Sequence, residues 1–195
     1  MNHRLPLLGF AVLVIGVPLT VFAVTATAAP ARPVTAVAST LDIVPKPVSA
    51  KLGHGQFTLT RHARIVAAPN AHSAAALTVA GDLAAYLRPA TGYPLHVVTS
   101  APRPGDIVLA IGNPVTLPVR ARAEGYELVT TTAHALIEAP AAHGLYDGIQ
   151  TFRQLFPAWI DSPTVLPGPW TAPVVSITDY PRYPYRGLLL DVARH

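Results

Sequence analysis

The chain has no cysteine and one methionine, and charged residues fill only 12% of its 195 positions. Without cysteine there is no disulfide to staple an exported fold, no thiolate nucleophile, and no site for lipid attachment through an N-terminal cysteine. The charged share is about half the usual ~25%, so a highly solvated disordered chain is excluded and a hydrophobic core is expected. Eight histidines are present, but none pairs at the i, i+4 spacing that holds zinc on a helix. No G-x-S-x-G elbow or phosphate-cradling glycine loop occurs either, so no metal and no cofactor is expected. The formal charge of +4 and sequence pI near 9.7 come from scattered basic residues without aromatic interleaving, so no nucleic-acid partner is expected.

What the chain does have begins with a three-part leader. His3 and Arg4 give a short basic start, residues 5–24 an apolar run, and small residues continue through Ala29. Reading Ala26-Thr27-Ala28 as the cleavage site makes residues 1–28 a signal peptide. The alternative is an uncleaved membrane anchor, against which Pro6, Gly9, Gly16 and Pro18 dilute the run. Residues 29–40, rich in Ala, Pro, Val, Thr and Ser, form a flexible tether. The expected location is therefore secreted or extracytoplasmic, with no stable membrane span after cleavage.

The folded domain is expected over residues 41–180. Strand candidates at 56–60, 63–68, 95–99 and 106–111 are bounded by Gly, Pro or Asn. An Ala-rich helix over 72–88 carries Val79, Leu83, Tyr86 and Leu87 at helical spacing, with Asn70 or Ser73 as cap and Pro89 and Gly92 as its end. Residues 125–139 read as a hairpin of β-forming residues. Leu145, Ile149, Phe152 and Phe156 then share one helical face that Pro157 terminates. Gly148 within this helix costs roughly 1 kcal/mol relative to Ala, which implies close approach to a neighbouring layer. Residues 161–172 read as a surface excursion, 173–178 as a further strand and 179–184 as a stiff Pro-Tyr linker. The expected class is α+β, a mainly antiparallel sheet with two helices packed on it. Leu188 to Leu190, continuously apolar, suits a strand covered on both faces, as in a parallel sheet or a (β/α) barrel.

Three stretches together carry a resemblance. They are Ile43-Val44-Pro45-Lys46-Pro47-Val48, the block running from Gly125-Tyr126 through Gly148-Ile149-Gln150-Thr151 to Gln154-Leu155-Phe156-Pro157, and Asp179-Tyr180-Pro181-Arg182-Tyr183-Pro184-Tyr185-Arg186-Gly187-Leu188-Leu189-Leu190-Asp191-Val192-Ala193-Arg194-His195. In this order they resemble the accessory domain and barrel entrance of family 20 glycoside hydrolases, the exo-β-N-acetylhexosaminidases. The resemblance implies that residues 181–195 begin a truncated catalytic (β/α)8 barrel. It implies retaining, substrate-assisted hydrolysis of terminal β-linked N-acetylglucosamine or N-acetylgalactosamine, with N-acetylhexosamine-terminated glycans such as chitooligosaccharides or glycoconjugates as partners. The catalytic Asp-Glu pair of that family belongs to a later strand, so no catalytic residue is expected here and the fragment is expected to be inactive alone. A secreted non-catalytic domain binding glycans or proteins remains an alternative, as does a neighbouring carbohydrate hydrolase such as an α-glucuronidase.

Arg186 is the candidate substrate-binding residue. A guanidinium opening an apolar strand needs partners, and its planar fork matches vicinal sugar hydroxyls. The resemblance assigns it the hydroxyls of the terminal sugar; an ion pair that locks the strand is the competing role. Asp191 and His195, with Arg194, are read as supporting or structural residues, because Asp191 lies about 16 Å from Arg186 along an extended strand and on its opposite face. Glu127 and Glu138 face each other across the hairpin and read as an ordinary solvent-facing pair. Expression of residues 1–195 in a secreting host should yield a mature chain starting at Ala29, as read by mass spectrometry; an intact Met1 in the membrane fraction would favour the anchor.

Overall fold

The computed structural model describes residues 41–68, 73–112, 117–121, 123–183 and 185–187. The expected leader and tether, the Asn70 cap, and the terminal strand with Asp191, Arg194 and His195 lie outside the described residues. Seven strands form one sheet: β1 (Ser49–Thr58), β2 (Ile65–Ala67), β3 (Val97–Val98), β4 (Ile107–Ile111), β5 (Tyr126–Thr130), β6 (Ala135–Ala139) and β7 (Thr171–Asp179). Two helices, α1 (Ser73–Thr91) and α2 (Ala142–Gln154), complete the α+β fold.

The sheet order is β1-β7-β5-β6-β4-β2-β3. Pairing is antiparallel from β1 through β7 and β5 to β6, then parallel through β4 and β2 to β3. The expected α+β class with two helices holds; the sheet is mixed rather than purely antiparallel, and connection length is the reason. The β5–β6 hairpin returns through a short turn, whereas α1 carries the chain across the sheet between β2 and β3 and must leave them parallel. The alternation that marks an antiparallel half-buried strand is visible in β5 and β6, where every second residue is buried. β2 is buried throughout, as a parallel strand covered on both faces should be.

The helices lie on one face of the sheet. Ala76, Val79, Ala80, Leu83, Ala84, Leu87 and Ala90 form the buried stripe of α1. Tyr86, expected in that stripe, sits at its flank, where its hydroxyl hydrogen-bonds that of Tyr146 on α2 at 2.8 Å. The helix passes Pro89 and stops at Gly92, whose φ of +67 is the left-handed turn that glycine accommodates.

α2 buries Leu145, Ile149 and Phe152, with Phe156 just beyond its end. The Phe152 ring packs edge-on to Phe156 at 5.1 Å and tilted against Phe57 of β1 at 6.2 Å. The expected surface excursion at 161–172 is anchored at its far end: Trp170 is fully covered, and the Leu59 amide donates to its carbonyl.

At the parallel end of the sheet, Asp106 collects four donors: the backbone N–H groups of Arg64 and Arg103, and Nε and Nη2 of Arg64. The Arg64 guanidinium also reaches Ser100 Oγ and the Ala101 carbonyl, so one ion pair fixes the loop and the starts of β2 and β4. Burial works to raise the Asp106 carboxyl, but the hydrogen bonds outweigh it and hold its pKa below the ordinary value. A carboxylate depressed in the folded state contributes stability that is present above its unfolded pKa of about 3.9 and is lost as pH falls through the folded value.

Asp106→Asn should therefore lower the melting temperature at neutral pH and flatten its decline between pH 5 and the acid limit. A parallel acid decline in both proteins would contradict this. Phe152→Ala should cost about 3–5 kcal/mol in denaturant unfolding, the range for removing a fully buried aromatic ring.

Candidate functional site

A set of polar residues gathers at the end of the sheet where β7 ends and β5 begins. An open cleft of ≈ 500 Å³ lies there, between α2, the 44–46 segment and the linker that follows β7. Three stretches far apart in sequence meet around it.

Close packing of α2 on the hairpin brings them together. A Cβ on Gly144 would fall 2.3 Å from the Gly125 carbonyl oxygen, and one on Gly148 would fall 2.5 Å from the Ile137 side chain and 3.2 Å from the Tyr126 ring. The close approach implied by Gly148 is therefore to the sheet. At this distance Thr151 Oγ1 and Tyr126 Oη lie 2.5 Å apart, and Tyr126 Oη stands 3.4 Å from Asp179 Oδ2. Burial, together with the neighbouring carboxylates of Asp179 and Asp147, pushes the Tyr126 phenol well above its ordinary pKa despite the Thr151 hydrogen bond. It remains a protonated donor.

Asp179 Oδ1 in turn accepts the Val48 amide at 3.0 Å. The Gln154 side chain makes a two-point contact with the Val44 backbone, its Oε1 accepting from Val44 N at 2.9 Å and its Nε2 donating to the Val44 carbonyl at 3.1 Å. The Arg182 guanidinium reaches the Lys46 carbonyl at 3.5 Å. So the 43–48 segment is clasped by the end of α2, the end of β7 and the linker. Gln154, Asp179 and Tyr126 were not singled out from the sequence as site residues, although each lies in one of the stretches that carried the resemblance.

Arg186 lines the same cleft and pairs with Glu124, the residue before Gly125 and Tyr126. Its side chain is 54% exposed, and it makes no other hydrogen bond among the described residues. Asp147 of α2 is the third carboxylate of the cleft. Burial raises its pKa, Glu124 and Asp179 add to the rise, and His143 and Arg186 oppose it. It accepts no hydrogen bond among the described residues.

Glu127 and Glu138 are register partners on the hairpin, on the face turned away from the helices, apart from this cleft. Among the described residues no group of three or more His, Cys, Asp or Glu side chains is placed to hold a metal ion. No helix among them is long and apolar enough to cross a membrane.

Two of the cleft's carboxylates thus hold polypeptide: Asp179 binds the 43–48 segment and Glu124 binds Arg186. Asp147 is the destabilising member. A carboxyl whose folded pKa is raised opposes folding at neutral pH, and the penalty fades as pH falls through that raised value. Asp147→Asn should raise the melting temperature at pH 7 by a small margin that disappears near pH 3; a lowered melting temperature at pH 7 would show that the charge is needed for folding.

Comparison with known proteins places these features in context. The sequence pattern of glycosyl hydrolase family 20, domain 2, matches residues 40–180. A beta-N-acetylhexosaminidase of Cellulomonas fimi is 34% identical over 156 residues, covering 78% of this chain and 29% of that protein. A mutant Streptomyces plicatus beta-hexosaminidase in complex with product GlcNAc superposes with a TM-score of 0.69 at 35% identity, over 80% of this chain and 30% of that one. The family 20 beta-N-acetylhexosaminidase of Streptomyces coelicolor A3(2) gives 0.63 at 36% identity, over 72% and 26%. The chain spans less than a third of the length of each of these relatives.

Proposed function

Because the chain belongs to glycosyl hydrolase family 20, whose domain 2 it contains, we propose that it is the amino-terminal portion of a secreted β-N-acetylhexosaminidase. The substrate class is a glycan ending in β-linked N-acetylglucosamine or N-acetylgalactosamine. The observation that carries this reading is the Streptomyces plicatus match, since that enzyme is captured with GlcNAc and shares the fold over 80% of this chain.

The domain's own part in the reaction follows from its cleft. Its polar groups clasp the 43–48 segment, the end of β7 and the linker, so the direction in which the chain leaves β7 is set by named hydrogen bonds. Arg186 stands seven residues past the end of β7 and carries the sugar-hydroxyl contact in this reading. In the substrate-assisted scheme the acetamido oxygen of the sugar attacks the anomeric carbon, a glutamate protonates the leaving oxygen, and an aspartate orients the acetamido group. That pair is assigned to a later barrel strand, so residues 29–195 bind and position but do not cleave.

An aryl N-acetyl-β-glucosaminide assay tests the reading. Residues 29–195 should show no turnover above a mock purification, while the same chain continued through a barrel of ~250 residues should hydrolyse the substrate. Turnover by residues 29–195 alone, or no turnover by the continued chain, would contradict it.

A further inference from the structure

The contact between Glu124 and Arg186 joins a fixed point to the segment that follows the domain. Glu124 is held by its backbone: its amide donates to the Ala121 carbonyl at 3.3 Å, and the next amide, Gly125 N, donates to the same oxygen at 2.7 Å. From the other side, Gly144 of α2 packs so closely that an added Cβ would meet the Glu124 carbonyl carbon at 3.0 Å. Tyr126, the next residue but one, begins β5 in the middle of the sheet and is buried. The Glu124 carboxylate therefore projects into the cleft from backbone pinned by a turn, a helix and a strand.

Arg186 meets this carboxylate with one arm of its guanidinium. The group has five N–H donors, and one Nη2 bond to Glu124 leaves the others unused among the described residues. The charges of Glu124, in the turn before β5, and of Arg186 both act on Asp147 of α2, so the guanidinium shares the cleft with a second carboxylate. A side chain gripped at one corner, with its fork otherwise open, has lost rotamer freedom without losing its capacity to bind hydroxyls.

We propose that Glu124 is a positioning residue for Arg186, holding the guanidinium so that its open donors meet sugar hydroxyls. This rests on the reading of Arg186 given under the proposed function and adds a residue of the accessory domain to substrate binding. Because a contact to non-reacting hydroxyls is made in ground state and transition state alike, its loss acts on KM rather than kcat.

The experiment uses the chain continued through its barrel and compares wild type, Glu124→Gln, Arg186→Lys and the double variant on an aryl N-acetyl-β-glucosaminide. Glu124→Gln should raise KM roughly fivefold, the scale of one partly exposed charge-assisted contact, with kcat within twofold. In the Arg186→Lys background the same change should have almost no further effect on KM, since the group to be positioned has gone. Glu124→Asp, which keeps the charge on a shorter arm, should recover part of the loss. If Arg186→Lys raises KM but Glu124→Gln does not, or if the two effects simply add, the positioning role is refuted while the reading of Arg186 stands. If Arg186→Lys leaves KM unchanged, the reading of Arg186 itself falls. Should Glu124→Gln fold poorly, the ionic-strength dependence of KM in the wild type decides: a contact between Glu124 and Arg186 that matters for binding makes KM rise with salt, and a flat response rejects it.

Discussion

The position of α2 over the β5–β6 hairpin is the constraint from which the cleft follows. Gly144 and Gly148 bring the helix backbone to the Gly125 carbonyl, the Ile137 side chain and the Tyr126 ring, with no room for a methyl group. Phe152, Ile149 and Leu145 drive the approach by burying their side chains fully. Every polar contact of the cleft that involves α2 depends on that depth. Thr151 reaches Tyr126, and Gln154 reaches Val44. A helix one methyl group further out would loosen both of these at once. Hydrophobic burial thus does the holding, and hydrogen bonds select the register.

The two halves of the sheet are secured by different means. At the parallel end, where β2 and β3 are short, the Arg64–Asp106 pair and the loop it binds fix the starts of β2 and β4. At the antiparallel end, long β1 and β7 pair over most of their length, with a register shift between Leu52 and Gln56. The cleft belongs to this second end, where the chain enters at residues 43–48 and leaves after Asp179. The domain ties these two segments together through Gln154 on Val44 and Asp179 on Val48.

Much of the fold was legible because the periodicities were clean. Leu145, Ile149, Phe152 and Phe156 announced α2 and its buried face, and Gly148 announced a close contact. The alternating hairpin at 126–139 was equally plain. Parallel pairing was less so, because a three-residue strand such as β2, buried on both faces, carries no alternation that reveals its partners. The candidate site was legible only as far as Arg186, whose charge stood out in an apolar run. Tyr126, Asp147, Gln154 and Asp179 were hidden because their roles come from contacts across as many as 131 residues, as between Val48 and Asp179. A polar residue on a helix or at a strand end looks the same whether it faces water or a distant segment of chain.

The depth of α2 is most directly tested by amide hydrogen exchange in wild type and Gly144→Ala, followed at Val44 and Val48. In the wild type both amides should be protected by Gln154 and Asp179. In Gly144→Ala, where the helix must lift from the Gly125 carbonyl, Val44, held by Gln154 of α2, should lose protection while Val48, held by Asp179 of β7, and Ile65 and Leu109 in β2 and β4 keep theirs. Unchanged protection at Val44 in a folded Gly144→Ala protein would contradict the dependence of the cleft on the depth of α2.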